Sequence, residues 1–395
     1  MHAIVKRMRL ARRPGWAHAL TVVIAFGAAG CATAPARPPT NPTPAGPRVV
    51  EMEPVRFEKA PSGEVTLVDA ERLLAAANQQ FTEGKYEDAI GTFLRLQREF
   101  PESKLRAAAL YNQGLAHEKV NQLDQAIACY RQLPDDLDAL YRTGTVLLQQ
   151  TRFDEAAAHY AALAKRSDLT LSDRIQAASE EGRARFAKRD YDGAERVLRS
   201  AITHYKDHKL EERLDSDYFL AQAAYLLGQI SHEQFRLLPI RLPESRMQQD
   251  LELKAQMLLA AQRRYLEAMQ VNHVEWAVAA GFQIGALYRE MYDAFLSAPV
   301  PPEAKGELRE VYVDQLRKKI QPLLQKAVGI FERNVLMAER VGVKNEWRER
   351  SVAQLGELRA LLLPGAPAAA GLSAPPAPDA PAGLDRAAPH TAPAN

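Results

Sequence analysis

Four times between residues 70 and 203 a small residue sits early in an amphipathic stretch, just after an aromatic or leucine that follows a short polar turn. The instances are Gly84-Lys85-Tyr86-Glu87-Asp88-Ala89-Ile90, Gln122-Leu123-Asp124-Gln125-Ala126-Ile127, Arg152-Phe153-Asp154-Glu155-Ala156-Ala157 and Asp190-Tyr191-Asp192-Gly193-Ala194. Their alanines are spaced by 37, 30 and 38 residues, around a helix–turn–helix period of about 34. Twelve positions before each alanine stands a second small residue: Ala77, Gly114, Gly144 and Gly182. Four positions after come Phe93, Tyr130, Tyr160 and Leu198. Such co-registered small and large residues predict pairs of antiparallel helices that touch closely, with a large side chain plugging each pair. One hairpin of this kind cannot bury its apolar face alone, so neighbours must stack into a solenoid with a concave groove. The expected fold class is all-α, an α-solenoid followed by a second helical module.

The stretch resembles tetratricopeptide repeats (TPR). That resemblance implies a binding scaffold whose groove holds peptide or helix segments of other proteins. It also implies that the first helix of each hairpin lines the groove. Carried over position by position, the groove residues are Asn78 and Phe81, Tyr111 and Glu118, Tyr141 and Gln149, and Arg183 and Phe186. Aromatics and an arginine suit anchoring of a bound segment; burial of several of them against the following repeat is the alternative. Some family members hold C-terminal carboxylates with Lys and Asn, but the matching positions here carry Leu74, Tyr111, Tyr141 and Ser179. That clamp is not expected.

Around the repeats, the helical pattern begins at Val65 with Thr66 as the expected cap, and Leu133-Pro134 clips the second hairpin short. A further hairpin opens at Asp215 to Gly228, but Leu238-Pro239 and Leu242-Pro243 interrupt its second half, so the regular array is expected to end there. Beyond it, helices are expected at 244–271, 273–297, 303–320, 323–341 and 345–362, with a break near Pro322. The stripe Trp276, Phe282, Tyr288, Tyr292, Phe295 reads as helix packing. The segments Gly281 to Tyr288, Tyr292 to Phe295, Ala298 to Pro301 and Pro322 to Trp347 are similar to the C-terminal part of envelope repeat proteins of δ-proteobacteria, some of them associated with gliding motility. Phe100-Pro101-Glu102-Ser103 with Ala107 to Tyr111 also resembles the repeats of two envelope families. One is the accessory lipoprotein of the outer-membrane β-barrel assembly machine, the other a coordinator of envelope constriction at division.

The first thirty residues carry Lys6, Arg7, Arg9, Arg12 and Arg13 with no acid, then the apolar run Leu20 to Ala29, too short to span a bilayer. Ala28-Ala29-Gly30-Cys31 resembles a bacterial lipobox, which implies cleavage before Cys31 and lipidation of its thiol; an ordinary signal peptide is the alternative. Ala32 rather than Asp after the cysteine implies, by the same resemblance, the outer membrane, facing the periplasm. The expected division is a signal peptide at 1–30, a Pro-rich periplasmic linker at 31–64, the solenoid at 65–208, a C-terminal helical module at 209–363 and a disordered Ala/Pro-rich tail at 364–395.

Without the five leader cations the chain keeps 46 basic and 49 acidic residues, so no basic field points to nucleic acid. Two cysteines, Cys31 and Cys129, exclude a disulfide framework. No phosphate loop, dinucleotide fingerprint, zinc-protease motif or nucleophile elbow occurs. His204 and His208 share a helix face but lack a third ligand, and Cys129 beside Tyr130 reads as a small buried hydrophobe. A cell-wall hydrolase would need a catalytic domain for which no sequence is left. The expectation is therefore a non-enzymatic scaffold without cofactor, metal or small-molecule substrate. Its partners are other cell-envelope proteins through the groove and the membrane through Cys31.

Overall fold

The computed structural model describes residues 54–59, 63 and 65–362. The leader, Cys31, most of the Pro-rich stretch and the Ala/Pro-rich tail lie outside the described residues. Strands β1 (Val55–Lys59) and β2 (Val65–Asp69) pair antiparallel, with Val55 opposite Asp69 and Lys59 opposite Val65. The expected helix start at Val65 and the Thr66 cap are corrected here. Val65–Asp69 is extended, and Asp69 caps the first helix by accepting the Arg72 amide at 2.7 Å. Val55 and Phe57 alternating with Arg56 and Glu58 are the strand signal inside what reads as linker. Arg95, on the second helix, pairs with Glu58 and ties β1 to the repeats.

Everything after Asp69 is helical hairpins. They are α1 (Ala70–Thr82) with α2 (Tyr86–Glu99), α3 (Arg106–Lys119) with α4 (Leu123–Tyr130), and α5 (Leu137–Gln149) with α6 (Phe153–Leu163). Then come α7 (Leu171–Ala187) with α8 (Tyr191–His208), α9 (Tyr218–Leu237) with α10 (Glu244–Gln270), α11 (Val274–Leu296) with α12 (Glu307–Arg340), and a closing α13 (Glu346–Leu362). Each helix packs on the next in sequence, and odd-numbered helices also touch one another: α7 meets α9, and α9 meets α11. That is a solenoid with the odd helices as one row, the arrangement the repeat pattern requires.

Each of the first four hairpins turns in the same way. A residue at positive φ closes the first helix: Gly84, Asn121, Thr151 and Arg189. Its amide donates to the carbonyl three residues back, and the following amide donates five back, as Lys85 does to Gln80 and Arg152 to Leu147. This is the Schellman cap, which satisfies carbonyls the helix end would leave open. Three of the four positions hold an L side chain where that conformation costs ~1–2 kcal/mol.

The expected small-on-large contact is present. A Cβ built on Gly114 would lie 2.4 Å from Tyr130, on Gly144 2.3 Å from Tyr160, and on Gly182 2.3 Å from Leu198. Only hydrogen at these positions lets the paired helices approach. Ala77 and Phe93 occupy the corresponding places in the first hairpin and are both fully buried in one cluster.

The array does not end near residue 230. The second half of the fifth hairpin is α10, beyond the two Leu-Pro pairs, and Tyr265 meets Gly228 where a Cβ would lie 2.5 Å from its ring. In the sixth hairpin Phe331 does the same to Gly285, at 2.6 Å. The expected break near Pro322 is also corrected: α12 runs unbroken through it. Pro322 is exposed, so the carbonyl left without its amide partner faces water rather than core.

Candidate partner-binding groove

The odd helices are stitched to one another by single polar contacts. Asn112 of α3 donates to Asn78 of α1 at 2.9 Å, and Arg142 of α5 pairs with Glu118 of α3 at 3.5 Å. The Tyr141 hydroxyl of α5 donates to the Asp173 carbonyl of α7 at 2.7 Å. Ser179 of α7 donates to Gln222 of α9 at 2.6 Å, and Gln283 of α11 donates to the Tyr225 hydroxyl of α9 at 3.0 Å. Each bond holds two first helices in register and keeps their shared face continuous.

On that row opens a groove of about 700 Å³. Leu137, Asp138, Tyr141, Arg142 and Thr145 of α5 line it beside Tyr111 of α3 and Asp173 and Gln176 of α7. Its far end is Ser216, Tyr218 and Phe219 at the start of α9, with His273, Val274 and Glu275 where α11 begins. Residues 138, 141, 142 and 145 share a face because helical neighbours are three and four apart. At the far end the Tyr218 ring lies edge-on to Phe219, His273 and Trp276, with centroids 5.0, 5.1 and 5.5 Å away.

Burial pushes the Tyr111 and Tyr141 hydroxyls up, and the carboxylate of Asp173 adds to the effect at Tyr141. Burial, then Glu180, pushes Tyr218 up to about 12, so all three hydroxyls stay protonated near neutrality. Burial lowers His273, which favours the neutral ring. Burial works against the Arg142 charge, but Glu118 and the neighbouring tyrosines outweigh it.

The structure brings together only two of the eight groove residues expected from the repeat register. Tyr141 lines the groove half-buried, and Tyr111 lines it while 4% exposed, packed on Tyr130 with ring centroids 5.7 Å apart. Tyr111 is thus part of the floor and of the core at once. Phe81 and Phe186 do not continue the aromatic wall: each packs across its own turn, Phe81 on Tyr86 at 5.3 Å and Phe186 on Tyr191 at 5.6 Å. Both sit at the last turn of their helix, where the cap turns the chain back onto them. Asn78 and Glu118 are spent on inter-repeat stitches, Glu118 also accepting from the Tyr130 hydroxyl. Arg183 pairs with Glu180 on its own helix. Gln149 is exposed at the end of α5, outside the groove lining.

Asp138, Gln176, Tyr218, Phe219, His273 and Glu275 are the lining residues that the repeat register does not supply. The helical face of Tyr141 points to Asp138, but the contribution of 273–275 depends on how α10 folds back, which no local pattern states. Leu74 and Ser179, at the clamp positions, are buried, Leu74 in the first apolar cluster. Cys129 is buried and its thiol is pushed up to about 11 by burial. His204 and His208 lie side by side with ring centroids 4.2 Å apart, and His208 approaches the His204 carbonyl at 2.9 Å. Among the described residues no three His, Cys, Asp or Glu side chains are grouped to hold a metal, and no helix is long and apolar enough to cross a membrane.

No protein of curated function matches the chain. Among solved structures, a tetratricopeptide repeat protein from Parabacteroides merdae is 14% identical, covering 73% of this chain and 98% of its own, with a TM-score of 0.34. The C-terminal part of a TPR repeat-containing protein from Cytophaga hutchinsonii is 12% identical over 72% of this chain and 95% of its own, at a TM-score of 0.37. MamA from Desulfovibrio magneticus is 17% identical over 49% of this chain and 94% of its own, at 0.32. The tetratricopeptide-repeat profile matches residues 74–134 and 111–169. By that match, and by the glycine–aromatic contacts and caps within it, residues 74–169 are tetratricopeptide repeats.

Proposed function

We propose that this protein is a membrane-tethered scaffold that binds other cell-envelope proteins through the groove on its odd-numbered helices. The observation that carries the reading is the groove itself. It combines half-buried aromatic rings with polar edges, on helices locked in register, and such preorganised aromatic surfaces anchor protein segments. The tether is a lipidated Cys31, supported by the small residues before it and the basic, apolar leader before those. The setting is the outer membrane facing the periplasm, within a gliding-motility or other trans-envelope machine, on the resemblance of the C-terminal helices.

Two experiments test this. Chemical cross-linking in cells, followed by purification from solubilised outer membranes, should recover the same envelope proteins repeatedly with the wild-type chain and lose them with Gln176→Trp, which fills the groove floor. Recovery undiminished by Gln176→Trp places the binding elsewhere. For the tether, Cys31→Ala should leave an unprocessed chain without lipid, and normal processing with membrane fractionation would end the lipoprotein reading.

A further inference from the structure

We infer that the segment bound in this groove presents a cationic side chain, lysine or arginine, to its far end. The inference rests on the scaffold reading and deepens it. Three carboxylates line the groove, those of Asp138, Asp173 and Glu275, against the single guanidinium of Arg142. Arg142 is ion-paired with Glu118 behind it, so its charge is already answered from the wall. The surroundings are negative in effect as well as in count: Asp173 works against ionisation of Tyr141, and Glu180 and Glu275 against that of Tyr218.

The aromatic rings stand where the carboxylates do. Tyr218, Phe219 and His273 form a group of edges and faces beside Glu275, and a cation over such faces is attracted by the ring quadrupoles. A carboxylate at the rim then supplies the charge partner. His273 is held towards its neutral form by burial, so it adds ring surface rather than a competing positive charge. The buried His273 Nδ1 and Trp276 Nε1 have no hydrogen-bond partner among the described residues, and Trp276 is 3% exposed. Polar atoms so placed lack the water or protein partner that buried groups normally find. An acidic segment, by contrast, would set its charge against three carboxylates, so the groove selects by sign as well as by shape.

The test uses the folded chain and three fluorescent twelve-residue peptides of one Ser/Leu/Gly background, carrying four Lys, four Glu or four Gln. Anisotropy at low salt should show the Lys peptide binding at least tenfold more tightly than the Glu peptide. That preference should shrink as salt is raised. Glu275→Gln combined with Asp138→Asn should weaken the Lys peptide about tenfold and leave the Gln peptide within twofold. Equal binding of the Lys and Glu peptides, binding of neither, or a Lys preference that survives Glu275→Gln/Asp138→Asn overturns the cationic assignment. The scaffold reading fails separately, when Gln176→Trp leaves capture of the cellular partners unchanged.

Discussion

Replacing Gly228 with alanine tests whether the fifth hairpin closes as the first four do. The added Cβ would lie 2.5 Å from Cδ1 and 2.6 Å from Cε1 of Tyr265. That ring has no room to withdraw: it is fully buried, packs on Tyr225 at 5.6 Å, and its hydroxyl meets His232 Nδ1 at 3.1 Å. Overpacking of a filled core costs ~1–3 kcal/mol, and the constraints on Tyr265 put the effect toward the upper part of that range. Against it stands the gain of alanine over glycine inside a helix, ~1 kcal/mol. The net expectation is a loss of about 2 kcal/mol. Gly356 and Gly91 isolate the second effect, since both lie within helices and a Cβ on either meets nothing within 4 Å. Gly356→Ala and Gly91→Ala should therefore raise the urea midpoint while Gly228→Ala lowers it, all followed by helical circular dichroism. A Gly228→Ala midpoint that rises like that of Gly356→Ala would refute the close contact and the continuity of the array.

Three further outcomes follow from named contacts. Ala156 has no exposed surface in the third hairpin, so Ala156→Glu should cost at least ~3 kcal/mol, and an unchanged melting temperature would mean the repeat register is wrong. Thr151 is a β-branched residue at φ 57 in a cap where Gly84 serves the first hairpin, so Thr151→Gly should raise stability by ~0.5–1 kcal/mol; a loss on denaturation would contradict the strain. Burial alone would raise the Glu290 carboxyl, but His232 and Arg236 outweigh it and hold it at about 2. A carboxyl depressed in the folded state contributes stability above its unfolded value near 4.5 and loses it as pH falls toward about 2. Acid unfolding in that window should be blunted in Glu290→Gln, which starts less stable at pH 7; an identical pH profile would remove the ion cluster from the account.

The first four hairpins were legible because their short helices put each small residue and its plug 16 positions apart, from Ala77 and Phe93 to Gly182 and Leu198. The same contact separates Gly228 from Tyr265 by 37 positions and Gly285 from Phe331 by 46, so a search at fixed period passes over it. The Leu-Pro pairs read as an interruption, yet they form only the connection before α10, with Pro243 as its cap. Pro322 misled for a related reason: a proline inside a helix is tolerated where the lost hydrogen bond faces water. At the groove, Tyr141 and Tyr111 were legible from register. Phe81 and Phe186 were not, because one turn along a helix decides whether a ring meets the groove or the returning chain. His273 and Glu275 reach the groove only through the packing of α9, α10 and α11, which sequence spacing does not encode.

The central claim is that a partner segment lies along the odd-numbered helices. Hydrogen exchange of the chain alone and of its cross-link-identified complex tests it most directly. The account predicts new protection at the beginning of α5 and α7, at 214–219 and at 271–275, with α10 and α12 unchanged on their outer faces. Protection confined to α10 and α12, or no change at 214–219 and 271–275 in a complex that persists, would contradict it.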